Sequence, residues 1–197
     1  GGGFDEDEGD GLALVDEGYL EGRVREVRSH EAFKGMLAQH RDSTGLPVVV
    51  DFYSTSCGPC RMIAPTFKAL AAEFKGRAAF AKVDVNRNYE SSAACGVRAM
   101  PTFHFYLDAK VHDSFSGADS RRLRHAATQL AATAERQGTY VGLEVSADAL
   151  AAFYEKHDAS KVAEAASLAA QFNQSTAKLV KILRKKSADY HPSSTPT

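Results

Sequence analysis

Apolar positions along the chain change their spacing several times, and each change marks an element. Behind Ser29, a good helix N-cap, Phe33, Met36 and Leu37 recur at helical intervals and predict a helix over about 30–41. Residues 47–53 (PVVVDFY) are β-branched and aromatic, the pattern of a fully buried strand. A helix is predicted from the Cys57/Cys60 pair to about residue 74, kinked at Pro65. Residues 77–85 (RAAFAKVDV) read as a strand and about 88–95 as a short helix. Residues 102–106 and 111–115 then read as a hairpin whose turn includes Asp108. A last amphipathic helix over about 119–136 sets Leu123, Ala127, Leu130 and Ala134 on one face. With a short edge strand in 22–27, the order is β-α-β-α-β-α-β-β-α. The expected fold class is α/β, a mixed central sheet with helices on both faces.

The ends have a different texture. Residues 1–20 concentrate Asp5, Glu6, Asp7, Glu8, Asp10, Asp16 and Glu17 without a Lys or Arg. Such a block repels itself and buries little, so a disordered leader is expected. The sheet domain is expected over 21–137 and a linker over 138–146. Beyond it, apolar residues return at helical spacing: Leu150, Phe153 and Tyr154, then Val162, Ala165, Leu168 and Phe172, then Leu179, Ile182 and Leu183. They predict three short helices over 147–187, followed by a disordered tail over 188–197. At about 40 residues such a unit has a marginal core and is expected to lean on the larger domain or a partner. The cations of its last helix, Lys178, Lys181, Arg184, Lys185 and Lys186, suit a helix C-terminus facing water.

Composition narrows the function. Apolar residues make up 44% and charged residues 25%, ordinary for a globular chain. The formal net charge of -1 argues against nucleic acid as the main partner. No apolar run approaches the roughly 20 residues that cross a bilayer, so no membrane partner is expected. Three cysteines do not make a disulfide framework, and that usage suits a reducing compartment, by default the cytoplasm.

Cys57-Gly58-Pro59-Cys60 admits two readings, half of a zinc site or a redox pair. Zinc calls for four ligands, and no second Cys pair or His pair stands at metal spacing; His104 and His112 sit on the hairpin as surface or packing residues. No metal is expected. The pair also lies where a buried strand hands over to a helix, with Cys57 at the helix N-terminus. Unpaired amides and the macrodipole there favour a thiolate, lowering the Cys57 pKa below the free value of about 8.5. A thiolate near ambient pH attacks disulfides efficiently. Cys60, one turn on and more enclosed, then serves as the resolving thiol, and Pro59 fills the first turn, where its missing N–H costs little. Cys95, alone, is expected to be a small packing residue.

Taken together, VVVDFY, the CGPC segment, RMIAP, AKVDV, AMPTF and FSGAD stand in an order that resembles the thioredoxin family, most closely its eukaryotic cytosolic members, over about residues 23–136. The resemblance implies protein-disulfide reduction with no bound cofactor. Reducing equivalents would come from NADPH through a thioredoxin reductase, and the partners would be that reductase and disulfide-bearing client proteins. It also implies a buried acid at Asp51 that accepts a proton from Cys60 during resolution, and a cis bond before Pro101. The other reading of Asp51 is a structural pair with Lys82. Gly117 and Pro65 match structural positions.

Two positions depart from the family pattern. Ser56 stands where a Trp usually precedes the first Cys, Tyr53 where Trp is frequent, and the chain has no Trp at all. Residues from 149 onward are loosely similar to short helical modules of protist proteins. A second function class therefore stands beside the reductase: a scaffold or adaptor with a thioredoxin-like domain, assembling through residues 147–187, for example on a cytoskeletal polymer. A secretory disulfide isomerase is a third reading, disfavoured by the Gly58-Pro59 dipeptide.

Overall fold

The computed structural model describes residues 16–137 and 147–172. The expected third C-terminal helix, the linker, the tail and most of the leader lie outside the described residues. The elements run α1 (Glu17–Leu20), β1 (Arg25–Glu26), α2 (His30–Gln39), β2 (Val48–Tyr53), α3 (Gly58–Glu73), β3 (Ala79–Asp84), α4 (Tyr89–Ala94), β4 (Thr102–Leu107), β5 (Lys110–Ser116), α5 (Ser120–Arg136), α6 (Ala147–His157) and α7 (Ala165–Phe172). The strands form one mixed sheet in the order β1-β3-β2-β4-β5, the first three parallel and the last two antiparallel to their neighbours.

Local chemistry explains where the elements begin. The Ser29 hydroxyl accepts from Ala32 N at 3.1 Å, Asn88 Oδ1 from Ser91 N at 3.3 Å, and Asp119 Oδ1 from Arg121 N and Arg122 N at 3.0 Å. The β4–β5 turn needs positive φ at Asp108 and Ala109, 53° and 59°. Past it, Phe105 faces Asp113 while Tyr106 faces Val111, so His112 is the extra residue of a bulge and is exposed. The chain enters the domain through Gly22, whose φ is 74° and where a Cβ would come within 2.9 Å of the Ala71 carbonyl oxygen near the end of α3.

Alternation along the strands divides the core in two. Under α3 and α5 lie Val49, Phe80, Phe103, Phe105 and Phe115 with Ile63, Phe67, Leu123 and Leu130. Under α2 and α4 lie Val48, Val50, Phe52, Ala81, Val83 and Tyr106 with Phe33 and Met36. Removing one of the fully buried rings costs about 3–5 kcal/mol, a large share of a domain's stability.

Three details differ from the expectations. The leader ends early: Asp16 caps α1, and Tyr19 is buried against the His40 ring at 5.0 Å, because one aromatic gives an acidic segment something to bury. The helix expected to run to residue 41 passes at Gln39 into a wider π-type turn, His40–Thr44, closed by Gly45 at φ 68°. The second C-terminal helix, expected around Val162, Ala165 and Leu168, starts as a 3-10 turn, Ala159–Glu164, before α7. In that C-terminal unit Leu150, Tyr154, Ala165 and Ala169 form a small core of their own.

Candidate functional site

β2 ends at Tyr53, and a four-residue turn delivers Cys57 to the start of α3. Its backbone is extended (φ −88°, ψ 114°), as a helix cap requires, and Cys57 Sγ accepts from Cys60 N at 3.1 Å. A sulfur held against the first amides of a helix is placed for negative charge to settle on it when reduced. The structure holds the pair oxidised, as a Cys57–Cys60 disulfide with Cα atoms 5.3 Å apart. Cys57 is half-buried, whereas Cys60 is 3% exposed. Of the two sulfur-bearing residues, Cys57 is the one open to solvent.

Around the sulfurs, Gly58 is uncrowded, Pro59 is exposed within the first turn of α3, and Met62 stands out 79% exposed. On the other side the Met100–Pro101 bond is cis, and Met100 O lies 3.6 Å from Cys57 Sγ. Met100 is itself exposed while Pro101 is buried. Exposed apolar side chains, Met62 and Met100, thus stand on the two segments that flank the disulfide.

Asp51 lies two residues before the end of β2, on the sheet face that α3 covers. It is 4% exposed, and its Oδ1 has no hydrogen-bond partner. Burial raises its pKa from the ordinary 3.8 to about 7, partly opposed by the charge of Lys82. Lys82 is its direct neighbour on β3, yet no ion pair joins them; the ammonium lies instead 5.2 Å from the centroid of the Tyr53 ring. The alternative reading of Asp51, a structural pair with Lys82, is therefore not formed in this arrangement.

Sequence reasoning missed the turn that carries Cys57. Ser54 is buried, and its Oγ lies 3.0 Å from Ser56 Oγ while accepting from Asn86 Nδ2 at 3.1 Å. Asp84 Oδ1 accepts from Asn86 N at 3.0 Å, and Arg61 donates from Nη1 to Thr55 O at 3.0 Å. Small polar residues thus brace the turn at the position of an absent Trp. The signal was present in YSTS and DVN, but only the fold brings those segments together.

The residues read as packing or surface positions lie elsewhere. Cys95 is half-buried with Sγ 3.5 Å from the Tyr106 hydroxyl, and burial pushes its thiol pKa up. His104 is buried against Phe52 at 5.0 Å, its pKa lowered by burial. Among the described residues no group of His, Cys, Asp and Glu is arranged to hold a metal, and no helix is long and apolar enough to cross a membrane.

Comparison with known proteins follows the same segment. The family model described as Thioredoxin matches residues 24–129. The thioredoxin H-type of Chlamydomonas reinhardtii is 41% identical over 103 residues, covering 52% of this chain and 90% of that protein. Mus musculus thioredoxin is 40% identical over 108 residues, covering 55% of this chain and 99% of that protein. Of solved structures, Fasciola hepatica thioredoxin superposes with a TM-score of 0.50 at 42% identity, over 53% of this chain and 97% of that one. The reduced Schistosoma mansoni thioredoxin pre-protein gives 0.51 at 31% identity, over 55% and 98%.

Proposed function

The chain belongs to the thioredoxin family and is a thiol–disulfide oxidoreductase, and we propose that it works as a protein-disulfide reductase cycling Cys57 and Cys60 between dithiol and disulfide. The Cys57 thiolate attacks one sulfur of a client disulfide, forms a mixed disulfide and releases the first client thiolate. Cys60 gives its proton to Asp51, attacks Cys57 Sγ, and releases the second client thiolate. Two electrons pass to the client, and the Cys57–Cys60 disulfide left behind is reduced again at the expense of NADPH through a thioredoxin reductase. The observation that carries this reading is the asymmetry of the pair: an accessible sulfur at a helix N-terminus joined to a buried one.

Asp51 is the proton acceptor of the second step because a buried carboxyl with a pKa of about 7 exchanges protons near neutral pH. Lys82 acts on Asp51 through its charge, Pro101 and Met100 present backbone to the client, and Gly58 and Pro59 shape the turn between the thiols. The reductase domain spans 21–137, the C-terminal helical unit is described over 147–172, and the setting is the cytoplasm. The helical unit offers a place for an assembly partner, but the comparisons lend no support to a scaffold role in place of the chemistry.

NADPH consumption with a thioredoxin reductase and insulin as the disulfide client tests the proposal. Wild type is expected to turn over and Cys57→Ser to fall to background, while Cys60→Ser accumulates mixed disulfides with clients. A wild type as inert as Cys57→Ser, with a Cys57–Cys60 pair that dithiothreitol still reduces, would overturn the reductase reading.

A further inference from the structure

Lys82 stands between two carboxyls. In the parallel register Glu26 of β1 is its neighbour on one side and Asp51 of β2 on the other, so the three side chains share one row on the face under α3. Its ammonium is drawn out of that row, over the Tyr53 ring, 5.2 Å from the centroid. Tyr53 follows Asp51 by two positions and points to the same face, and its hydroxyl reaches across to donate to Glu26 Oε1 at 2.6 Å. Ring and carboxylate together thus make a negative platform for the cation, which forms an ion pair with neither Asp51 nor Glu26 and feels the Glu26 charge at longer range.

The other charged groups nearby do not alter this. Arg28 lies 3.2 Å from Glu26 Oε2, and the charges of Asp84 and Arg87 act on Tyr53. At this end of α3 the cap Cys57 and Cys60 are both in the disulfide, and Arg61 is exposed and donates to Thr55 O, while β4 opposes Asp51 with Phe103. Among the described residues the charge that bears on Asp51 is that of Lys82. The Tyr53 hydrogen bond, first among the causes, and the charges of Lys82 and Arg28 hold Glu26 below its ordinary carboxylate range, so it stays negative wherever Asp51 titrates.

We infer that Glu26 and Tyr53 are positioning residues for Asp51, acting through Lys82: they hold the ammonium over the ring and so leave Asp51 without a contact counter-ion. A carboxyl paired at contact with Lys82 would be fixed as an anion and would bind the Cys60 proton poorly. The platform keeps the cation close enough to act by its field and too far to make a bond. The inference rests on Asp51 as proton acceptor and adds two residues that touch neither sulfur nor client.

The test is the midpoint of the Asp51 carboxyl, followed by carbon-13 chemical shift in the oxidised full-length protein, with the pH profile of client reduction beside it. Glu26→Gln releases Lys82 toward Asp51 and is expected to lower the midpoint by about 0.5 pH unit or more, at least a threefold change in proton affinity. Tyr53→Leu moves it the same way, and Tyr53→Phe, which keeps the ring, moves it less. In a Lys82→Gln background, or Lys82→Met if that variant does not fold, the Glu26→Gln shift disappears. An unmoved midpoint in Glu26→Gln overturns the inference, as does an equal shift in both backgrounds, which would mark a direct effect of the Glu26 charge. The parent reading fails separately: if Asp51→Asn left the rate and pH profile of client reduction unchanged, Asp51 would not be the proton acceptor, whatever the titrations showed.

Discussion

The core under α2 and the core under α3 both contain buried polar groups, but they treat protons in opposite ways. On the first, His104 Nδ1 lies 3.1 Å from the Tyr106 hydroxyl and His40 Nδ1 lies 2.7 Å from Thr44 Oγ1. Burial lowers both imidazole pKa values, that of His40 to about 4, so these groups are neutral at ordinary pH. On the second, burial pushes Asp51 up to about 7, where a small change of environment changes its charge. One physical cost, removing charge from water, thus silences one side of the sheet and makes the other responsive. The difference lies in the sign of the ionised form and in where each ordinary value starts.

The largest expected effects come from removing the responsive group. Asp51→Asn should slow the resolving step roughly 100-fold near pH 7, read by stopped-flow decay of the mixed disulfide. The same variant should be more stable. Between pH 3.8 and about 7 the unfolded Asp51 loses its proton while the folded one keeps it, so the wild type loses stability as pH rises, by about 4 kcal/mol above pH 7. Chemical denaturation at pH 8 against pH 5 reads about 3 kcal/mol of that loss, and equal stability of wild type and variant at pH 8 would break the contrast.

The quiet side predicts the mirror image. His40 has a folded pKa of about 4 against an ordinary 6.5, so the unfolded chain takes up its proton first and stability falls as pH drops through that window. His40→Leu should abolish about 3 kcal/mol of that acid loss while leaving client reduction at pH 7 intact. Denaturation series at pH 4 and pH 7 check it, and an unchanged acid limb would mean that the imidazole is not excluded from water. The smallest effect belongs to the turn. Ser54→Ala removes the acceptor of Asn86 Nδ2 and should cost about 1 kcal/mol by denaturant midpoint, with client KM raised more than kcat is lowered.

Much of this was legible in the sequence because local chemistry and global fold agree there. The run VVVDFY is buried at every position up to Asp51 and Phe52, and Ser29 caps its helix as its residue type predicts. The cysteine pair was equally plain, since a strand, two thiols and a helix follow each other without interruption. What escaped depends on residues distant in sequence. Tyr19 finds its pocket beside His40, and Lys82 chooses the ring of Tyr53 over the adjacent carboxylate. Register makes Lys82 and Asp51 neighbours, but only the third strand, which brings Glu26, decides where the ammonium rests.

The contact of Gly22 with Ala71 also fixes how the enzyme can be mounted. α3 has 16 residues, so its two ends are about 24 Å apart, and the Cys57 turn occupies one of them. Gly22 abuts the other end, and so does the close of α5, where Glu135 meets Arg77 at 2.9 Å just past α3. The entry to the sheet at Gly22 and the close of α5 are therefore both tied at the pole opposite the sulfurs. A support attached at that pole, whether a bead or a filament, would leave the disulfide facing away from it.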